Sequence, residues 1–367
     1  MAIISKKGLF LQEEDGYFQK FAAKNGDEYG LRFGEPKDAE DISKIFKEIY
    51  DNEYIFPLVY DLNLLKTSLS DKNNFWFVGE SLDSGNEIAG TGLIKKNRYI
   101  AHAGKAVVKK KFQGLGVTTK IGAAGIIACT KMPQFQDILR LNSEVRGTKR
   151  IQKLIKNAGA LPYALIPAYL NYGDKRSFKI DNNTPFPARR EEAAFLYSII
   201  SKKLWRQRET KIHLLDNEDF IFFHNFVKSY AKKMRGDTLI LENGRKDGGY
   251  ELYGVSKDYF DGIVNIYGYA QEKSLDHLIK VYTNWRIILL RIPTTSNGVH
   301  SMASALKKGF NIVGYDIGFH NSNWTLSDSV IMAYYPNGGS QVLKVECLDE
   351  NKPLLNKVRD IYFTRIN

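Results

Sequence analysis

Hydrophobic positions along the chain change period several times, and each change marks an element. Ile42, Ile45, Phe46, Ile49 and Tyr50 recur at the spacing of one buried helical face, which predicts a helix that ends before Pro57. Residues 29–33 ahead of it form a short β-rich run, and Glu35-Pro36-Lys37-Asp38 is a turn with Asp38 placed to cap that helix. Residues 74–81 and 87–94 are apolar runs rich in β-formers, and Asp83-Ser84-Gly85-Asn86 between them has the chemistry of a hairpin turn. A further strand at 101–108 leads through a basic, glycine-containing loop into residues 117–131, whose Ala-rich, Ile-spaced pattern is helical up to Pro133. Next come a strand at 137–142, a helix at 148–157 with Ile151, Leu154 and Ile155 inward, a stop at Gly159 and a strand at 160–170.

The second half restates part of this order. A polar stretch at 174–187 reads as a long loop, 193–205 fits helix or strand equally, and the charged stretch 202–211 reads as a linker. Beyond it, Phe220, Phe223, Val227 and Tyr230 set a new helical face. Residues 286–292, 300–308, Gly309 and 311–318 then repeat strand, helix, glycine and strand at nearly the spacing of residues 137–170. A chain of 367 residues exceeds one core of ordinary size. The expected organisation is an arm at 1–28, a domain at 29–210 and a second domain at 211–367.

Composition narrows the class. Hydrophobic residues make up 43% of the chain, yet none of its apolar runs approaches the roughly 18 residues that a membrane helix needs. The first residues mix short apolar patches with Lys6, Lys7, Glu13 and Glu14, unlike a signal peptide, so the expected compartment is the cytoplasm. Cys129 and Cys347 are the only cysteines, which argues against a disulfide framework or a thiolate metal site, and no metal is expected. The net charge of +12 favours an anionic partner: a nucleotide cofactor, an acidic substrate or nucleic acid. Basic clusters fall at Lys109-Lys110-Lys111, Arg189-Arg190, 202–208 and 232–235, and all but the first read as solvated faces.

The chemistry concentrates around the first cluster, in a run that comprises Val107-Val108, the three lysines and then Phe112-Gln113-Gly114-Leu115-Gly116-Val117-Thr118. At a strand end, Gln113 to Gly116 can present successive amides to an anion, because each glycine permits close approach and unusual backbone angles. The positive end of the helix starting near Val117 adds to the same spot, and the lysines are expected to raise the potential further. The loop lacks the Gly-Lys-Ser/Thr ending of a P-loop and the third glycine of a dinucleotide fingerprint.

With this loop and this order of elements, residues 29–170 resemble the Gcn5-related N-acetyltransferase family, whose loop pattern is Gln/Arg-x-x-Gly-x-Gly/Ala. Gln113 matches the first position and Gly116 the first glycine; Gly114 is additional, and Ile121-Gly122 continues the pattern only loosely. The resemblance implies an α+β fold of two tandem domains, each a mixed, mostly antiparallel twisted sheet flanked by helices. It also implies acetyl-CoA, with its pyrophosphate on the loop amides of residues 113–118 and its pantetheine arm along Val107 and Val108. The second domain looks like a degenerate copy: its strand at 262–270 runs into Gln271-Glu272-Lys273-Ser274 with no glycine loop. Around residues 287–319 it is similar to acetyltransferase-like regions fused to some bacterial regulatory proteins.

Direct acyl transfer to an amine needs a base and an acid. Ile155 stands where many relatives carry an acid tyrosine, and Thr148 where they carry an asparagine. Tyr163 and Tyr169 on the next strand are the substitute acids, His102 and Glu144 the base candidates, and Glu80 a weaker one whose alternation points it to solvent. Two other functions fit the same pattern: an aminoacyl-tRNA-dependent transferase of the tandem type, and a non-catalytic acyl-CoA sensor. The amine acceptor is not legible, because specificity in this fold lies in variable loops.

Overall fold

The computed structural model describes residues 16–364 except 52–53, 55, 147, 172–190, 245–249, 260, 323–324 and 339–344. The expected loop at 174–187 and the Arg189-Arg190 pair therefore lie outside the described residues. By packing, the described residues fall into two compact units, one up to Ser143 and one from Glu144 onward.

In the first unit, β1 (Gln19–Ala22) and β2 (Glu28–Phe33) open a sheet that continues through β3 (Asn74–Ser81), β4 (Glu87–Asn97) and β5 (Ile100–Val108) to the start of β6 (Arg140–Arg146). Neighbours are antiparallel except β5 and β6, which run parallel. β1 was not expected, and β6 starts at Arg140 because residues 133–135 make a 3-10 turn that Ile138 closes onto the Phe135 carbonyl. Helix α1 (Ala39–Tyr50) buries Ile42, Ile45 and Phe46 against Trp76 and Val78, as its spacing predicts. Asp38 does not cap it through its side chain: the carboxylate accepts two nitrogens of Arg32 at 2.7 and 2.8 Å and the Glu35 amide at 2.7 Å. Helix α2 (Leu62–Ser70), not expected from the sequence, is capped by Asp61 and buries Leu65 and Leu69. Helix α3 (Val117–Lys131) can lie close on the sheet because both partners are small where they meet. A Cβ on Gly92 would stand 3.2 Å from Ile121, and one on Gly125 2.8 Å from Ile94.

The second unit holds α4 (Lys149–Asn157), β7 (Leu161–Asn171), β8 (Glu191–Ile200), α5 (Lys202–Gln207), β9 (Lys211–Leu215), α6 (Glu218–Tyr230) and β10 (Thr238–Glu242). It continues with β11 (Leu252–Asp258), β12 (Ile263–Tyr269), α7 (Glu272–Val281), β13 (Ile287–Pro293), α8 (Ser296–Lys307), β14 (Asn311–Ser322), β15 (Thr325–Tyr334) and α9 (Lys352–Thr364). Its sheet runs β8-β7-β14-β15-β13-β12-β11, with β12 and β13 the parallel pair, while β9 and β10 pair separately. The ambiguous 193–205 stretch resolves into the end of β8 and, after the Ser201 cap, α5. The stretch read as a linker is packed rather than loose. Arg208 is only 6% exposed. Its guanidinium bonds Asp328 at 2.5 and 2.6 Å and Asp237 at 2.7 and 3.1 Å.

The internal echo is structural. Gly159 and Gly309 both end a helix at positive φ, 88° and 85°. β7 breaks register with β8 between Pro162 and Ala164 and again between Ile166 and Leu170; β14 breaks register with β15 at the matching positions, Ile312 to Gly314 and Asp316 to His320. Ala168 and Gly318, at the second break of each, have φ of 53° and 58°. The two strands meet antiparallel at Ala164 and Gly314, where a Cβ on Gly314 would lie 2.3 Å from that of Ala164. The α+β class holds in both units: among the described residues the main sheets are mostly antiparallel with one parallel pair each, the separate β9–β10 pair is parallel, and helices pack on them.

Candidate functional site

The glycine loop follows β5, a strand with a bulge in its pairing with β4. Between Thr91 and Leu93 of β4, β5 carries one extra residue, with Lys105 at φ 53°. Such a bulge re-aims the strand end. The parallel pairing of β5 with β6 covers Ile100, Ala101 and His102. Beyond it, Ser143 Oγ donates to the Ala103 carbonyl at 3.2 Å. Val107 and Val108 have buried side chains, so only their backbone is available to a ligand.

Phe112, buried edge-on against Tyr29, anchors the start of the loop, and Gln113 Nε2 donates to the Val108 carbonyl at 3.2 Å. Gly114 and Gly116 sit at φ 83° and 93°, and an added Cβ at either would meet nothing within 4 Å. It is the conformation that selects glycine here, and the open space leaves the backbone accessible. The first α3 hydrogen bond runs from the Lys120 amide to the Gly116 carbonyl, which leaves the amides of Val117, Thr118 and Thr119 ahead of the helical ladder. Two of the three lysines are drawn to a carboxylate. Lys109 and Lys111 pair with Glu87 at 2.8 and 2.5 Å, which holds the Glu87 carboxyl below its usual range, and the Lys110 amide donates to Glu48 at 2.8 Å. Amides and helix end supply positive potential at the loop, and the Glu87 carboxylate offsets part of that from Lys109 and Lys111.

His102 is exposed on the paired part of β5, opposite Lys95 and Asn142. Glu80 faces inward, not to solvent: it is 5% exposed and accepts from Tyr17 at 2.5 Å and from Arg32 at 2.8 Å. That removes it as a base candidate. In the second unit, Glu144 is exposed within β6 and accepts from Tyr169 Oη at 3.5 Å. Tyr169 sits next to Ala168 in the β7 bulge, which is held by Arg286 on the Ala168 carbonyl and by Tyr335 Oη on the Pro167 carbonyl at 3.1 Å. Burial, then the Glu144 carboxylate, pushes the Tyr169 phenol well above its ordinary value, so it keeps its proton. Tyr163 is 4% exposed and belongs to the core around Gly314. Of the two candidate tyrosines, Tyr169 is the one brought to Glu144.

Compared with known proteins, the chain matches no family model and no curated protein. Solved structures similar to it include the ribosomal-protein-S5-alanine acetyltransferase of Vibrio fischeri, at 16% identity and TM-score 0.37 over 50% of this chain and 97% of that one. Two others are the ribosomal-protein-S18-alanine N-acetyltransferase of Escherichia coli (13%, TM-score 0.36, 47% and 93%) and Ard1 of Thermoplasma volcanium (19%, TM-score 0.34, 47% and 97%).

The matching place in the second repeat is built differently. β12 stays paired with β13 from Ile263 to Tyr267, and Gln271 leads directly into α7. Glu251 occupies the helix start, accepting from the Gln271 amide and from Ser274 Oγ, each at 2.7 Å. Glu272 turns to Lys307 at 2.8 Å. The sequence gives no sign of Glu251's role because only the β11–β12 pairing brings it to Gln271.

Proposed function

We propose that the chain transfers an acetyl or other short acyl group from coenzyme A to an amine. The observation that supports this most is the pair of glycines, Gly114 and Gly116, at positive φ in open space ahead of the α3 amides. A cradle of backbone donors with no side chain in it suits an anion, and its length over successive amides suits a pyrophosphate. Gln113, Gly114, Leu115, Gly116, Val117 and Thr118 would hold the phosphates and the backbone of Val107 and Val108 the pantetheine arm, and acetyl-coenzyme A when bound would supply an activated thioester carbonyl.

For the proton chemistry the candidates brought together are Glu144 and Tyr169: Glu144 would take the proton of an incoming ammonium, and Tyr169 Oη, kept protonated by its surroundings, would donate one to the leaving group. Tyr163 shapes the core behind Tyr169, and His102 has the weaker claim as base because it lies on the paired stretch of β5. In this reading the first repeat ends near residue 210, and the second, from 211, carries no coenzyme of its own.

Titration calorimetry of the whole chain with coenzyme A tests the reading: micromolar-class binding with one site per chain is expected, and no heat from a folded protein removes it. Thiol release from acetyl-CoA with a panel of primary amines then separates enzyme from sensor. Tyr169→Phe should lower turnover by about 10²-fold or more while coenzyme A affinity stays unchanged.

A further inference from the structure

Two basic clusters far apart in sequence come together in the second unit. One lies on and after α5, with Lys202, Arg206 and Lys211; the other, Lys232, Lys233 and Arg235, lies on the 3-10 turn after α6. Trp205 joins them: Lys233 Nζ lies 5.6 Å from the ring centre and the Arg208 guanidinium carbon 5.7 Å. The Thr238 amide donates to the Thr210 carbonyl at 2.9 Å, fixing the two segments side by side. All six cations are exposed, and among the described residues none is paired with a carboxylate. The acids of these segments face elsewhere: Asp237 is held by the buried Arg208, and Glu209 accepts from Ser327 Oγ at 2.6 Å. Six exposed like charges on two adjoining segments, with the acids of those segments turned inward, leave a local positive potential that attracts an anion.

We propose that this face binds the phosphate backbone of single-stranded RNA, independently of the acyl-transfer reading. Exposed cations can track phosphates, arginines such as Arg206 and Arg235 can fork onto one, and the half-buried Trp205 is an aromatic on which an unstacked base could stack. An anionic membrane fits less well. Among the described residues, the exposed large apolar side chains lie outside these two segments, the nearest in sequence being Leu241 on β10, so the two segments themselves have no exposed large aliphatic side chain to insert. A protein partner would need an apolar centre that the patch also lacks.

The probe is a labelled uridine 20-mer, titrated with the whole chain at several salt concentrations. Binding should weaken steeply with salt, by about 0.7 in the log–log slope per phosphate neutralised. Replacing Lys202, Arg206, Lys232 and Arg235 together by alanine should weaken binding more than tenfold and flatten that slope by about 3, with an unchanged unfolding midpoint. The control pair Lys66→Ala with Lys72→Ala, exposed in the first unit, should bind as the parent does. Equal binding by the fourfold variant, an equal loss in the control pair, or binding to phosphatidylserine vesicles with none to the 20-mer would each overturn the proposal.

Discussion

After β5 the chain lays down Gln113-Gly114-Leu115-Gly116 before α3 begins; after β12 it enters α7 through Gln271 alone. Both are helix starts at the end of a strand in the same topological place, and both carry the partial positive charge of exposed amides. In the first repeat the amides meet open space, and the nearest lysines are drawn off to Glu87. In the second, Glu251 supplies the anion from within the chain. On the proposed reading, the Glu251 carboxylate from the adjoining strand takes in the second repeat the place that the coenzyme's phosphates take in the first.

The same contrast runs through the two bulges and yields the largest expected effect. Gly318 in β14 is pinned by its amide to Asp328, which also takes Arg208 and Tyr315, whereas the first repeat's bulge is held by neutral acceptors, the carbonyls of Pro167 and Ala168. Asp328→Ala leaves a buried guanidinium half-compensated and should cost about 3–5 kcal/mol in chemical denaturation. Arg286→Ala should cost well under half of that, and equal losses would mean the two bulges are supported alike. Next comes Gly116→Asp, which places a side chain and a negative charge where backbone must meet phosphate. It should weaken coenzyme A binding at least about 100-fold by calorimetry, with the fold retained in circular dichroism. Unchanged affinity would move the coenzyme out of this loop. The smallest effect is expected from Glu251→Gln. Loss of the charged cap on α7 should lower stability by about 1 kcal/mol, and binding should stay at one coenzyme A per chain. A second equivalent would show that Glu251 was all that kept the second repeat empty.

Much of the fold was legible from local pattern. The α1 face, the 74–81 and 87–94 hairpin, α6 and the strand-helix-glycine-strand echo arise from spacing and turn residues, and the loop glycines stand where the structure needs positive φ. The features that were not legible depend on partners distant in sequence. Glu80 alternates like a solvent-facing residue but is drawn inward by Arg32 and Tyr17; Asp38 has the look of a cap but serves Arg32. Residues 202–211 read as a linker because a buried Arg208 cannot be told from an exposed one until Asp237 and Asp328 are in place. The choice of Tyr169 over Tyr163 as the partner of Glu144 turns on a bulge that shifts the facing of one strand, and strand alternation gives no warning of it.

The close approach of Ala164 to Gly314 bears on how the chain can be handled and how it could have arisen. β7 finds one neighbour in β8 and the other in β14, so a fragment ending at residue 210 would leave the β14 side of β7 as a bare, apolar edge. Expressed alone, the first repeat would recruit a second copy of itself through that edge or aggregate. The symmetric meeting of like strands is the arrangement two identical chains would make, and Gly314 lets it close within one.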